Sequence, residues 1–201
     1  DKLSITIHDG KNELVSDFGT SGYGVPDYLK WYKRTLSHNT VTVDAKDQKR
    51  SVGKLLKFNP RSDGGYAEAE TTTAYPGVRM KRSLDLKGTH LQDVYTCTSD
   101  SSHLYEYVIL FNEKPLMDGQ PTATTLTGSE VHERIHNIFS YPHKSGFTCR
   151  TSSASVQFDI PEGEVMEVVL GEASGIPANP TVKDGPGAGD VAVKPCYPLI
   201  I

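Results

Sequence analysis

A chain of 201 residues with 25 acidic and 21 basic side chains carries a formal net charge of −4, and 36% of it is apolar. That length supports one large domain, which buries roughly 70% of its unfolded surface and needs no disulfide staples. The mildly acidic balance and the lack of a Lys/Arg cluster exclude a nucleic-acid binder. No apolar run reaches the ~18 residues of a membrane-spanning helix.

The chain opens on an alternation, with Leu3, Ile5 and Ile7 against Ser4, Thr6 and His8, the period of a strand with one buried face. Asp9-Gly10 is a hairpin turn signal, because both residues tolerate positive φ. A return strand is expected over 13–18, then a glycine-rich loop over 19–26 and an aromatic stretch at 28–32. Further short strands are expected over 40–44, 66–73, 78–86, 94–98, 105–111, 155–160 and 165–170, separated by Gly, Pro, Asn and Asp turns. Many short strands of this kind predict an all-β fold, a large antiparallel β-sandwich with at most one short helix. Residues 181–192, rich in Gly and Asp, read as a loop. Neither an internal repeat nor an inter-domain linker is visible, so residues 1–201 are expected to form a single domain. Asp1 is not an initiator methionine and the apolar run 197–201 stops abruptly, so both ends are expected to be cuts within a longer protein.

Cys97, Cys149 and Cys196 are odd in number, far apart and without a CxxC pair, so buried thiols are expected rather than a disulfide framework or a cysteine zinc site.

One run carries more information than the rest. The aromatic-basic stretch from Tyr28 to Arg34 leads into Leu36-Ser37-His38-Asn39-Thr40-Val41-Thr42-Val43-Asp44-Ala45-Lys46-Asp47-Gln48. This resembles the C-terminal β-sandwich domain of heparinase II/III-like polysaccharide lyases, which cleave uronate-containing polysaccharides by β-elimination. Asp1-Lys2-Leu3-Ser4-Ile5 resembles the end of the family's His-x-His-x-Asp stretch, and Ser16-Asp17-Phe18-Gly19 resembles its strand-end aspartate. Weaker likeness continues over 79–112 and fades over 113–180. The family's aspartate near Glu106 and histidine near Asn112 are both changed here.

The resemblance implies that Asp17 and His38 are metal ligands, holding Zn2+ in the parent enzyme with a third ligand from upstream. Imidazole nitrogen and carboxylate oxygen suit zinc at about 2.0–2.2 Å. It implies a preceding α/α toroid that supplies the main catalytic groups, so no catalytic residue is expected in this chain and the fragment should be inactive alone. It also implies an acidic polysaccharide, alginate or a glycosaminoglycan, as partner, and a periplasmic or secreted location. Without the resemblance, Asp17 and His38 would read as ordinary residues satisfying local backbone groups.

Tyr23, Tyr28, Trp31 and Arg34 are the candidate substrate-binding residues, since aromatic faces stack on sugar rings and Arg grips carboxylates with a fork of two donors. Core packing is an equal reading for Trp31. A different class of protein, a non-catalytic carbohydrate-binding or supporting sandwich, fits the same residues. A third reading comes from His132-Glu133-Arg134-Ile135-His136, the zinc-protease pattern, on a short helix that Thr127 and Glu130 could cap. Phe139 and Pro142 stand where the extended protease pattern needs Gly and His, so the match reads as coincidence.

Overall fold

The computed structural model describes residues 1–17, 28–143, 146–159, 166–177 and 193–201. They form an all-β sandwich, as expected, with three short helical turns at Tyr28–Tyr32, Thr35–Ser37 and Glu130–Arg134. The strands are β1 (Ile7–His8), β2 (Glu13–Val15), β3 (Val41–Val43), β4 (Lys54–Arg61), β5 (Gly64–Tyr75), β6 (Val78–Lys87), β7 (His90–Ser99) and β8 (Tyr105–Phe111). They continue as β9 (Leu116–Met117), β10 (Thr122–Ala123), β11 (His136–His143), β12 (Phe147–Arg150), β13 (Ser155–Phe158), β14 (Met166–Pro177) and β15 (Val193–Ile200).

An eight-stranded antiparallel sheet, in the order β1-β2-β8-β15-β14-β11-β10 with β3 also on β8, is the centre of the molecule. In its central strands β8 and β14, Val108–Phe111 and Val168–Leu170 are buried on both faces and read as apolar runs rather than alternations. Along β8, Val108 and Leu110 enter one core cluster while Ile109 and Phe111 enter the other. Trp31, Tyr32, Leu36, Val131 and Ile135, from the helical turns, cover the first face. The small sheet β13-β12-β9 covers the second face through Phe147 and Cys149.

The remaining sheet, β4-β5-β6-β7, is a meander of neighbouring hairpins. Pro76-Gly77 links β5 to β6, with Gly77 at φ +71, the residue pattern of a type II turn. Gly64 at the β4–β5 turn permits a close approach, because a Cβ there would lie 2.0 Å from the Leu86 carbonyl oxygen. One face is charged, with Arg79 on Glu70 at 2.5 Å and Lys81 on Glu68 at 3.5 Å. The other face carries Phe58, Leu84 and Leu86, and packs only near its root, where Ala74, Val78 and Met80 meet Val41 and Val43 of β3.

Several sequence expectations shift. The opening strand shrinks to Ile7–His8, because Leu3 takes a left-handed turn at φ +61. The expected helix over the His-Glu-x-x-His run is a single 3-10 turn, capped by Ser129, whose side chain accepts from Val131 N, rather than by Thr127. All three cysteines are free thiols, with Cys149 and Cys196 buried. Burial pushes Cys97 up to about 11 and Cys149 and Cys196 to about 12.

Candidate functional site

The helical turn at Tyr28–Tyr32 is pinned to β14. Trp31 Nε1 donates to the Ser174 carbonyl at 2.7 Å and the Tyr32 hydroxyl to that of Gly175 at 2.9 Å. From Ser37 the chain leaves the second turn extended, with His38 at φ −129 and ψ 155. This aims the His38 imidazole at two acids that lie far away in sequence. Nδ1 lies 2.9 Å from Asp17 Oδ1, and Nε2 lies 3.1 Å from Asp1 Oδ2.

Each acid is itself held. Asp17 Oδ2 accepts from the Ser4 hydroxyl at 2.5 Å, and Asp1 Oδ1 accepts from the Thr35 hydroxyl at 2.5 Å. A cationic ring can donate to both acids, whereas a neutral ring donates to one and turns a lone pair toward the other.

Asn39 fixes the backbone beneath the histidine. Its side chain is fully buried and donates to the Ile5 and Ser16 carbonyls at 2.8 and 2.6 Å, and its Oδ1 accepts from Leu110 N at 2.7 Å. Three separate chain segments therefore meet on one amide. A cavity of about 490 Å³ opens beside the corner, with Asp17, Tyr28 and His38 in its lining together with Lys33, Lys49 and Arg50. A wall that mixes lysine and arginine with acids gives a polyanion both cationic contacts and hydrogen-bonding edges.

The sequence candidates separate here. Asp17 and His38, the proposed metal ligands, are brought into direct contact. Tyr28 lines the cavity, half-buried. Trp31 is wholly buried in the core, so no ring face is open to a sugar, and packing is its role. Arg34 does not line the cavity: its guanidinium meets Asp47 at 2.6 Å and Glu130 at 2.7 Å, bracketing three segments. Tyr23 lies outside the described residues. Asp1, Ser4, Thr35 and Asn39 also belong to the site, and no sequence pattern marks them as such. Their contacts span 13 to 71 positions and leave no local spacing to read.

The donor chemistry of Asp17 and His38 suits zinc, with one nitrogen and one oxygen on facing atoms. Asp1 meets the other ring nitrogen, so one ion at Nδ1 would not reach it. Among the described residues no group of three His, Cys, Asp or Glu side chains is placed to hold a metal. The protease-like histidines do not converge. His132 is buried, with Nδ1 donating to the Thr127 carbonyl at 2.9 Å and Nε2 3.1 Å from Glu106 Oε1, whereas His136 is exposed on β11. Burial pushes the Glu106 carboxyl up, but the bonds from His132 and Thr42 outweigh it and hold the group below its ordinary value.

Comparison with known proteins gives the fold and the family. The fold matches that of heparan sulfate lyase HepC from Pedobacter heparinus, with a TM-score of 0.56, 13% identity and coverage of 94% of this chain but 26% of that one. A heparinase III gene product matches with a TM-score of 0.51 at 13% identity, over 94% of this chain and 26% of its own. The β-sandwich thus shares its fold with part of each of these two larger chains. The chain belongs to the Heparinase II/III-like, C-terminal family, which matches residues 1–165. It is 25% identical over 138 residues to an exo-oligoalginate lyase of Saccharophagus degradans, covering 56% of this chain and 18% of that protein. It is 26% identical over 136 residues to an alginate lyase of Stenotrophomonas maltophilia, again covering 56% and 18%. The alignments thus span about a fifth of the length of these curated relatives.

Proposed function

We propose that this chain is the β-sandwich part of a polysaccharide lyase that cleaves a uronate-containing polysaccharide, alginate or a glycosaminoglycan, by β-elimination. The observation that carries the reading is His38, held between Asp17 and Asp1 beside a cavity whose lining includes Lys33, Lys49 and Arg50. Elimination removes the acidic proton at C5 of the uronate while its carboxylate is neutralised, forms the C4–C5 double bond as the C4–O4 bond breaks, and protonates the departing O4. The cationic side chains of the cavity suit the carboxylate, and Tyr28 offers a ring or hydroxyl to the sugar.

The groups that move protons would come from a preceding α/α toroid, with the sandwich closing the cleft. His38 Nδ1 and the Asp17 carboxylate would hold Zn2+ together with a ligand from the segment before Asp1. When bound, the ion would fix that corner against the cleft. A periplasmic or secreted enzyme is the setting in which such polymers are met.

The test is ultraviolet absorbance of the unsaturated uronate product, measured on alginate, heparan sulfate and chondroitin. The whole enzyme should release it from at least one polymer, and the 201-residue chain alone should not. Oligosaccharide binding by the chain without turnover by the whole enzyme would instead favour a non-catalytic carbohydrate-binding sandwich. Substantial turnover by the chain alone would overturn the proposed division of labour.

A further inference from the structure

Arg82 stands on β6 of the meander, 3% exposed, with its guanidinium over the Tyr95 ring of β7 and reaching the His38 corner. A guanidinium has five N–H donors in a rigid fork, and each has an acceptor here. Nε and Nη2 grip Asp93 on β7 at 2.9 and 2.5 Å, and Nη2 also reaches the Tyr107 hydroxyl at 3.1 Å. Nη1 donates to two backbone carbonyls, those of Leu3 and Asn39, each at 2.6 Å.

Those two carbonyls flank the site. Leu3 lies between Asp1, which meets Nε2 of His38, and Ser4, which bonds Asp17. Asn39 directly follows His38. Leu3 also holds φ +61, a left-handed backbone that a leucine keeps only where its surroundings impose it. Bonds from Thr40 and Asn39 to the Lys2 and Ile5 carbonyls hold this segment on either side of the turn. The Arg82 bond falls on the strained residue itself.

We propose that Arg82, braced by Asp93, is a positioning residue for the site: a strut from the meander that sets the distance between Asp1 and His38 through the Leu3 and Asn39 carbonyls. Only its zinc readout rests on the lyase reading above. Lysine cannot take its place, because an ammonium lacks the planar fork needed to hold a carboxylate and two carbonyls together.

The experiment uses the whole enzyme with Arg82→Lys, and as control Phe147→Leu, a buried change on the small sheet β13-β12-β9. At one fixed pH, the His38 imidazole resonances should move in Arg82→Lys and stay in place in Phe147→Leu, with both variants folded. Zinc affinity by calorimetry should fall roughly tenfold or more in Arg82→Lys alone, the usual loss when an outer partner of a ligand is removed. His38 resonances that stay in place in Arg82→Lys would overturn the proposal, leaving Arg82 as a structural residue only. If Arg82→Lys does not fold, Tyr107→Phe removes a single partner of Nη2 and should move the same resonances by less. No movement in that variant overturns the proposal equally. A wild-type enzyme that takes up no zinc defeats the metal reading, while the resonances still decide the role of Arg82.

Discussion

The meander β4–β7 and the corner around His38 touch through Arg82, yet different forces hold them. In the meander each strand pairs with its sequence neighbour, turns are two residues long, and Leu55 and Phe58 remain 63% and 62% exposed. Its stability is a sum of cross-strand pairs, each worth roughly 0.2–1 kcal/mol. The corner has almost no regular ladder. It is a set of buried and half-buried side-chain-to-backbone bonds that tie Lys2, Ile5, Ser16 and Leu110 to Asn39 and Thr40. A ladder degrades gradually when altered, whereas a buried polar network fails as a unit, since each unpaired partner carries its full desolvation cost.

The largest effect should come from the corner. Asn39→Ala would strand the Ile5 and Ser16 carbonyls and the Leu110 amide, at about 1–3 kcal/mol each, for a loss of about 4 kcal/mol in urea unfolding. A loss below ~1 kcal/mol would break the comparison. Trp31→Ala should cost a similar amount, about 3–5 kcal/mol, from the cavity it leaves. Affinity of the folded variant for alginate oligosaccharides should stay within about twofold, and a large drop would return Trp31 to the binding surface.

Glu106→Gln removes one partner of a buried pair and should cost roughly 3 kcal/mol at neutral pH. Because the folded carboxyl sits below its ordinary value, its contribution is present above about pH 4.3 and is lost as pH falls through the lowered value. The gap between wild type and Glu106→Gln should therefore narrow in acid, and a gap independent of pH down to about 3 would contradict the pairing. The smallest effect belongs to the meander. Phe58→Ser should change stability by no more than about 0.5 kcal/mol, and a larger loss would show that its exposed face is packed.

The same contrast governs what was legible in the sequence. β5 and β6 are legible to within two residues of their ends, and β7 over its second half, because their signals are local: alternation, Pro76-Gly77 and the glycine at Gly88. β4 is not legible in the sequence, since Pro60 and the register shift between Leu55 and Lys57 hide its period. The start of β11 carries a helical pattern, because Val131, Ile135 and Ile138 recur at helical spacing while serving a turn and then a strand. At the site, the pairing of Asp17 with His38 came from family likeness and not from periodicity. Nothing in the chain marks Arg82 as reaching Leu3, 79 residues away. Trp31 and Tyr28 stand three residues apart in one aromatic cluster, and only the turn between them sends one to the core and the other to the cavity wall.

The sulfur chemistry has a practical consequence. Nucleophilic attack needs the thiolate, and burial has moved all three thiols to about 11 or 12. At neutral pH the three cysteines of the folded domain should therefore react only slowly with maleimides. A cysteine introduced at an exposed position such as Leu116 would stand alone as a labelling handle. A dye or spin probe placed there could follow the sandwich without first stripping the native sulfurs.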